Sequence, residues 1–241
     1  MEQELRLKTK DGKIIYGVLR GSLDKPIIVL VHGLASHIGE ALHYNAARYF
    51  EKYGFSSLRF NLYSWQKDAR KMHECTLKTH GADIDAVLEY LEKKKVKQIF
   101  IAGHSYGFPS ILHTKNRIFR AVVSWDGTIL PRNNFIKMKR TTNPKGRIFD
   151  EGYLTIMGED MAVEEGKVDS IVLIKALRKP IKFITVDNKK RGNLVGAKKA
   201  YRAAPELKAL TIIKGASHNF LEEGKEEELY AETVSWFKKY L

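Results

Sequence analysis

The chain has 241 residues, 44% hydrophobic and 29% charged, an ordinary globular composition long enough to bury a core without staples. No run approaches the ~18 apolar residues of a membrane span, and Cys75, the only cysteine, rules out an intramolecular disulfide. The net charge of +14 is dispersed: its densest cluster (Lys93, Lys94, Lys95, Lys97) falls where a helix is predicted to end, so a solvated basic surface is expected and no specific nucleic-acid partner.

Met1 is followed by the charged Glu2, Glu4 and Arg6, and a cytoplasmic protein is the simplest expectation. Glu4 to Thr9 and Lys13 to Arg20 read as two strands joined at Asp11-Gly12, an antiparallel hairpin. Pro26 to His32 is a continuous apolar run, as in strands covered on both faces. Helical periodicity then spans Glu40 to Tyr53, with Leu42, Ala46, Tyr49 and Phe50 on one side and Gly54 as the stop. Ser57 to Leu62 reads as a strand, Thr76 to Lys94 as a helix buried along Ile84, Val87, Leu88 and Leu91, and Lys97 to Ala102 as a further strand. A short helix around Ile111 and Leu112 and a strand at Arg120 to Trp125 follow. The last elements are strands at Ile181 to Val186 and Leu207 to Ile213, with helices at Leu194 to Ala203 and Glu222 to Tyr240.

Strands alternating with helices of this length predict parallel pairing through right-handed crossovers. One α/β domain over residues 1–241 is expected, with a mostly parallel eight-stranded sheet, an N-terminal antiparallel hairpin and helices on both faces. Between Gly127 and Pro180 the pattern lapses into an irregular stretch, read as a small cap inserted after the sixth strand at about 128–179. Its apolar residues Phe149, Tyr153, Leu154, Ile156 and Met157 suit either an acyl or aryl pocket or plain packing of the cap onto the core.

Gly103-His-Ser-Tyr-Gly107 sits between a buried strand and a helix, the context that turns a short G-x-S-x-G pattern into a nucleophile elbow. With H-G-L at 32–34 and G-A-S-H at 215–218, each after a strand, the chain resembles an α/β-hydrolase of the esterase and lipase superfamily. The resemblance covers nearly everything outside the 127–180 insert. It implies Ser105 as nucleophile, His218 as its base, and the backbone N–H groups of Leu34 and Tyr106 as the oxyanion hole. His32 is then structural, and His104 points away from the nucleophile.

The supporting acid departs from the family pattern, because the strand at 181–186 runs into Asp187 without the usual intervening glycine. Asp187 is the expected acid, and Asp126, at the end of the preceding strand, is the alternate. His73, Cys75 and His80 form H-x-C-x4-H, three potential ligands without a fourth, so no metal is expected, and the triad needs no cofactor. The resemblance implies hydrolysis of a small-molecule carboxylic ester or thioester through an acyl-enzyme. The alternatives are a peptidase, amidase or acyltransferase on the same triad, and a non-catalytic anion-binding protein on a hydrolase scaffold.

Overall fold

The computed structural model describes residues 2–132, 134–150, 154–187 and 193–241. Strands β1 (Glu2–Lys8) and β2 (Ile14–Arg20) pair antiparallel in the register Glu2↔Arg20 to Lys8↔Ile14. The turn is closed by Thr9 N–H donating to the Lys13 carbonyl at 2.9 Å. β3 (Ile27–Val31), β4 (Ser56–Phe60) and β5 (Ile99–His104) are buried along their whole length, which explains why β3 and β5 read as apolar runs rather than alternations. Helix α1 (Ala41–Lys52) links β3 to β4, and α2 (Leu77–Lys93) links β4 to β5. The short α3 (Gly107–Leu112) leads to β6 (Val122–Trp125).

Helix α2 starts where its sequence demands. Thr76 Oγ1 accepts from Thr79 N–H at 3.0 Å, and Thr79 Oγ1 accepts from Thr76 N–H at 2.8 Å, a reciprocal cap of two otherwise orphaned donors.

The stretch after β6 is not irregular. It forms a three-stranded antiparallel sheet of β7 (Arg140–Thr142), β8 (Lys145–Asp150) and β9 (Leu154–Gly158), then helices α4 (Glu159–Lys167) and α5 (Ser170–Leu177). The turn-rich T-T-N-P-K-G, read as loop, contains the tight connection from β7 to β8. Buried Arg147 on β8 donates to both carboxylate oxygens of Glu159 (3.0 and 2.7 Å) and to the carbonyls of Ile136 and Met138. One guanidinium thus joins the small sheet, the start of α4 and the segment before β7.

β10 (Ile181–Val186), α6 (Asn193–Ala203), β11 (Lys208–Ile213) and α7 (Lys225–Lys238) complete the chain. The eight-stranded sheet has the order β1-β2-β4-β3-β5-β6-β10-β11; every pair from β4 to β11 is parallel, as predicted.

The strand period of two divides the core. Ile27, Val29, Val31, Ile99 and Ile101 face one layer, with Leu88, Ile111 and Ile174 from the helices on that side. Ile28, Leu30, Phe100 and Ala102 face the other, with Phe50 of α1 and Phe237 of α7. A third cluster holds the insert: Met157, Met161 and Ala162 pack on Met72, Leu77 and Tyr106. Met157 therefore packs the insert onto the core. Tyr153 and the side chains of Phe149 and Leu154 lie outside the described residues.

Candidate active site

Ser105 follows β5 directly, with φ at +52°, a left-handed conformation that a serine adopts only under constraint. The constraint is visible on both sides. Ser105 N–H donates to the Trp125 carbonyl at 3.0 Å, and the Ser105 carbonyl accepts from Thr128 N–H at 3.0 Å. The flanking glycines are required by close approach: a Cβ at 107 would lie 2.4 Å from the Val31 carbonyl oxygen, and one at 103 would lie 2.9 Å from Phe108 N. The turn is packed too tightly for any larger residue.

His218 lies after β11, and its Nε2 is 2.9 Å from Ser105 Oγ. Its Nδ1 faces a carboxylate oxygen, Asp126 Oδ2, at 2.5 Å. A carboxylate can only accept, so Nδ1 carries the proton and Nε2 is left as the acceptor for the serine hydroxyl. The two nitrogens are held in the tautomer that general-base chemistry needs.

The carboxylate that meets His218 Nδ1 is Asp126, where Asp187 was the expected one. Asp187 is exposed, and its Oδ1 accepts from Gly215 N–H at 3.0 Å, bracing the turn after β11. Asp126 ends β6, the strand beside β5, so its side chain emerges next to the serine elbow. Its N–H donates to the Ile184 carbonyl at 2.7 Å, which fixes it just past the C-terminal end of β6, between β5 and β10, with φ at +41°.

The Asp126 carboxylate is buried and fully engaged. Thr185 Oγ1 donates to Oδ1 at 2.7 Å, and Asn193 Nδ2 donates at 2.9 Å both to Oδ2 and to the Asp126 carbonyl. Burial pushes this carboxyl up, but the hydrogen bond and charge of His218, with Thr185 and Asn193, outweigh it and hold the group below the ordinary aspartate range. Asn193 in turn accepts from Arg132 Nη2 at 2.5 Å, so the first residues of the insert are linked to Asp126. Asn193 and Thr185 carry no motif and are found only by three-dimensional proximity.

His104 does turn away from Ser105, but it is not idle. Its Nε2 lies 2.9 Å from the His218 carbonyl, and the two rings sit 4.7 Å apart, so it holds the loop that carries His218. His32 is structural, as expected. Leu62 N–H donates to its Nε2 at 3.0 Å, which leaves Nδ1–H to donate to the Gly33 carbonyl at 2.7 Å. Tyr63 Oη donates to the same carbonyl at 3.1 Å. In a trans peptide the C=O and the following N–H point in opposite directions. The two donors clamped on the Gly33 oxygen thus aim Leu34 N–H away from themselves. Leu34 and Tyr106 both border the cavity into which Ser105 opens.

His80 and Cys75 do not converge on a metal site: His80 Nδ1 bonds Ser110 Oγ at 2.9 Å, and Cys75 Sγ faces the Lys71 carbonyl. Among the described residues no cluster of histidine, cysteine or carboxylate side chains is arranged to hold a metal ion. No helix among them is long and apolar enough to cross a membrane.

The cavity over Ser105 measures about 380 Å³. Phe135 and Met138 of the insert supply apolar wall, and Glu40, Arg132, Glu165 and Asn219 supply polar groups. Glu165 is buried, and its Oε2 accepts from Phe135 N–H at 2.8 Å. Burial pushes its carboxyl up, partly offset by that bond, by a second from the Asn134 backbone and by the charge of Arg132.

No family model matches the chain, and no curated relative matches it. Solved structures do. The esterase domain of a Rhodothermus marinus protein superposes with a TM-score of 0.79 at 15% identity, over 100% of this chain and 99% of that one. Est1E from Butyrivibrio proteoclasticus, with ferulic acid bound, gives 0.81 at 16% identity over 98% of both chains. A dienelactone hydrolase from Anabaena variabilis gives 0.71 at 15% identity, over 100% of this chain and 98% of that one. The chain has the α/β-hydrolase fold.

Proposed function

We propose that this α/β-hydrolase-fold chain is a serine hydrolase of small carboxylic esters or thioesters, with Ser105, His218 and Asp126 as its triad. The supporting observation is the continuous hydrogen-bonded line from Ser105 Oγ through both ring nitrogens of His218 to Asp126, opening on one cavity. In the reaction Ser105 Oγ attacks the acyl carbon while its proton passes to His218 Nε2. The new C–O bond places negative charge on the former carbonyl oxygen, which the N–H groups of Leu34 and Tyr106 receive. Collapse breaks the bond to the alcohol, which leaves with the proton from Nε2. Water repeats the sequence on the acyl-enzyme and frees Ser105. Asp126 stays ionised and steadies the imidazolium, a role suited to a carboxyl held below its usual range. Each oxyanion donor contributes a factor of about 10² to 10³ in kcat.

The polar groups around the 380 Å³ cavity favour short or functionalised acyl groups over long alkyl chains. The test is Ser105→Ala against p-nitrophenyl esters of rising acyl length, with a fluorophosphonate label. Wild type is expected to turn over the short esters and take the label; the variant is expected to do neither. Equal turnover or labelling in the variant would sink the proposal.

A further inference from the structure

A second cavity, about 600 Å³, adjoins the first, and Ala35 and Ser36 line both. Its floor is apolar, from Ala35, Tyr63 and Met72, and its rim is polar, from His37, Ser64, Gln66 and Thr155. One wall is Trp65, 87% exposed and the most exposed large apolar side chain among the described residues. The chain's other tryptophans, Trp125 and Trp236, are buried.

The loop that presents Trp65 is braced. Lys71 Nζ donates to three successive carbonyls, those of Ser64 (3.2 Å), Trp65 (2.9 Å) and Gln66. Ser64 N–H closes the loop on the Arg70 carbonyl at 2.9 Å, and Arg70 is itself anchored by both oxygens of buried Asp83. An indole left in water on a braced backbone gains little for the fold, yet it offers a flat apolar surface to a ligand.

We propose that this cavity is a subsite for the alcohol side of the ester, and that it takes a ring with an apolar face and hydroxyl groups at its edge. The ring's face would lie on Trp65 and its hydroxyls would reach the polar rim. The occupant follows from adjacency: Ala35 and Ser36 border both cavities, so a substrate with its carbonyl at Ser105 would extend beside them toward the second. Phenols and sugars share this chemistry. The inference rests on the serine hydrolase reading for its kinetics, and its binding arm is independent of turnover.

In the binding arm, acrylamide quenching of tryptophan fluorescence is measured on Ser105→Ala with 4-hydroxyphenyl acetate, glucose 6-acetate or ethyl acetate. Trp65 is the accessible tryptophan, so a ring ester is expected to protect it and ethyl acetate is not. In the kinetic arm, Trp65→Ala is expected to lose about tenfold in kcat/KM on a ring ester, the size of one stacking contact, with ethyl acetate unchanged. Trp65→Phe should restore most of it. Protection by the phenol alone or by the sugar alone identifies the ring. No protection by either, or equal losses on all three esters, would overturn the subsite. Failure of wild type to hydrolyse any of them would overturn the hydrolase reading and leave the quenching result standing.

Discussion

Three histidines buried without charge make the fold acid-sensitive well above the range where carboxylates titrate. Burial drives His32 down to about 4 and His80 to about 3, with neighbouring cationic groups adding to the shift in His80. His43 is also driven well below its usual value, first by burial and then by His104, His32 and Arg59. Each is neutral in the native state, whereas the unfolded chain takes up protons below about 6.5. Their contribution is therefore complete above about pH 6.5 and is lost as pH falls toward the native values. At pH 5 that loss is about 2 kcal/mol each for His32 and His80, about 4 kcal/mol together, with His43 acting in the same direction, a large share of the whole stability of many domains. Urea unfolding between pH 8 and pH 5 should show the midpoint falling steeply below pH 6.5. His43 offers the control, since both its ring nitrogens lack a hydrogen-bond partner among the described residues. His43→Leu should raise stability at pH 7 by about 1 to 3 kcal/mol and make the pH dependence shallower. The comparison with the variant matters because Asp83, Glu164 and Glu165, pushed up by burial, respond to acid with the opposite sign. Stability flat to within about 1 kcal/mol from pH 7 to pH 5, or an unchanged slope in the variant, would refute the reasoning.

The acid is tested by pairing Asp126→Asn with Asp187→Asn: the first is expected to lose on the order of 10⁴ in kcat, the second less than about threefold. Asn193 Nδ2 is 3.5 Å from His218 Nδ1, so Asn193→Asp added to Asp126→Asn should recover about tenfold by presenting a carboxylate from the other side. Tyr63→Phe removes one of the two donors on the Gly33 carbonyl and should lower kcat about tenfold with little change in KM, as expected when Leu34 N–H is less well aimed. An equal rise in KM would point instead to a role in binding.

Most of the fold was legible because its signals are local. Asp11-Gly12 set the hairpin, unbroken apolar runs marked the strands covered on both faces, and Gly103 to Gly107 marked the elbow. The carboxylate beside His218 was not legible, since the choice between Asp126 and Asp187 depends on which strand end faces the loop carrying His218. Both residues follow buried strands, and β6 and β10 are neighbours in the sheet. The small sheet of the insert was hidden for another reason. Its strands are short and partly exposed, and β7 has no buried residue, so they lack a hydrophobic period to read. His104 shows a third limit: its partner is a backbone carbonyl more than a hundred positions away, which no sequence pattern encodes.

Glu164, on the first helix of the insert, accepts from Leu77 N–H at 2.6 Å and so satisfies a first-turn donor of α2. Gly158 packs close to the His73 carbonyl just before that helix. Insert and helix thus share a hydrogen bond and a packed seam. Deleting residues 128–179 would strip that helix start and wet the Met72, Leu77 and Tyr106 surface beside Ser105. A graft of this insert onto a related scaffold would have to carry residues 72–77 with it, which makes those six positions the natural seam for any chimera.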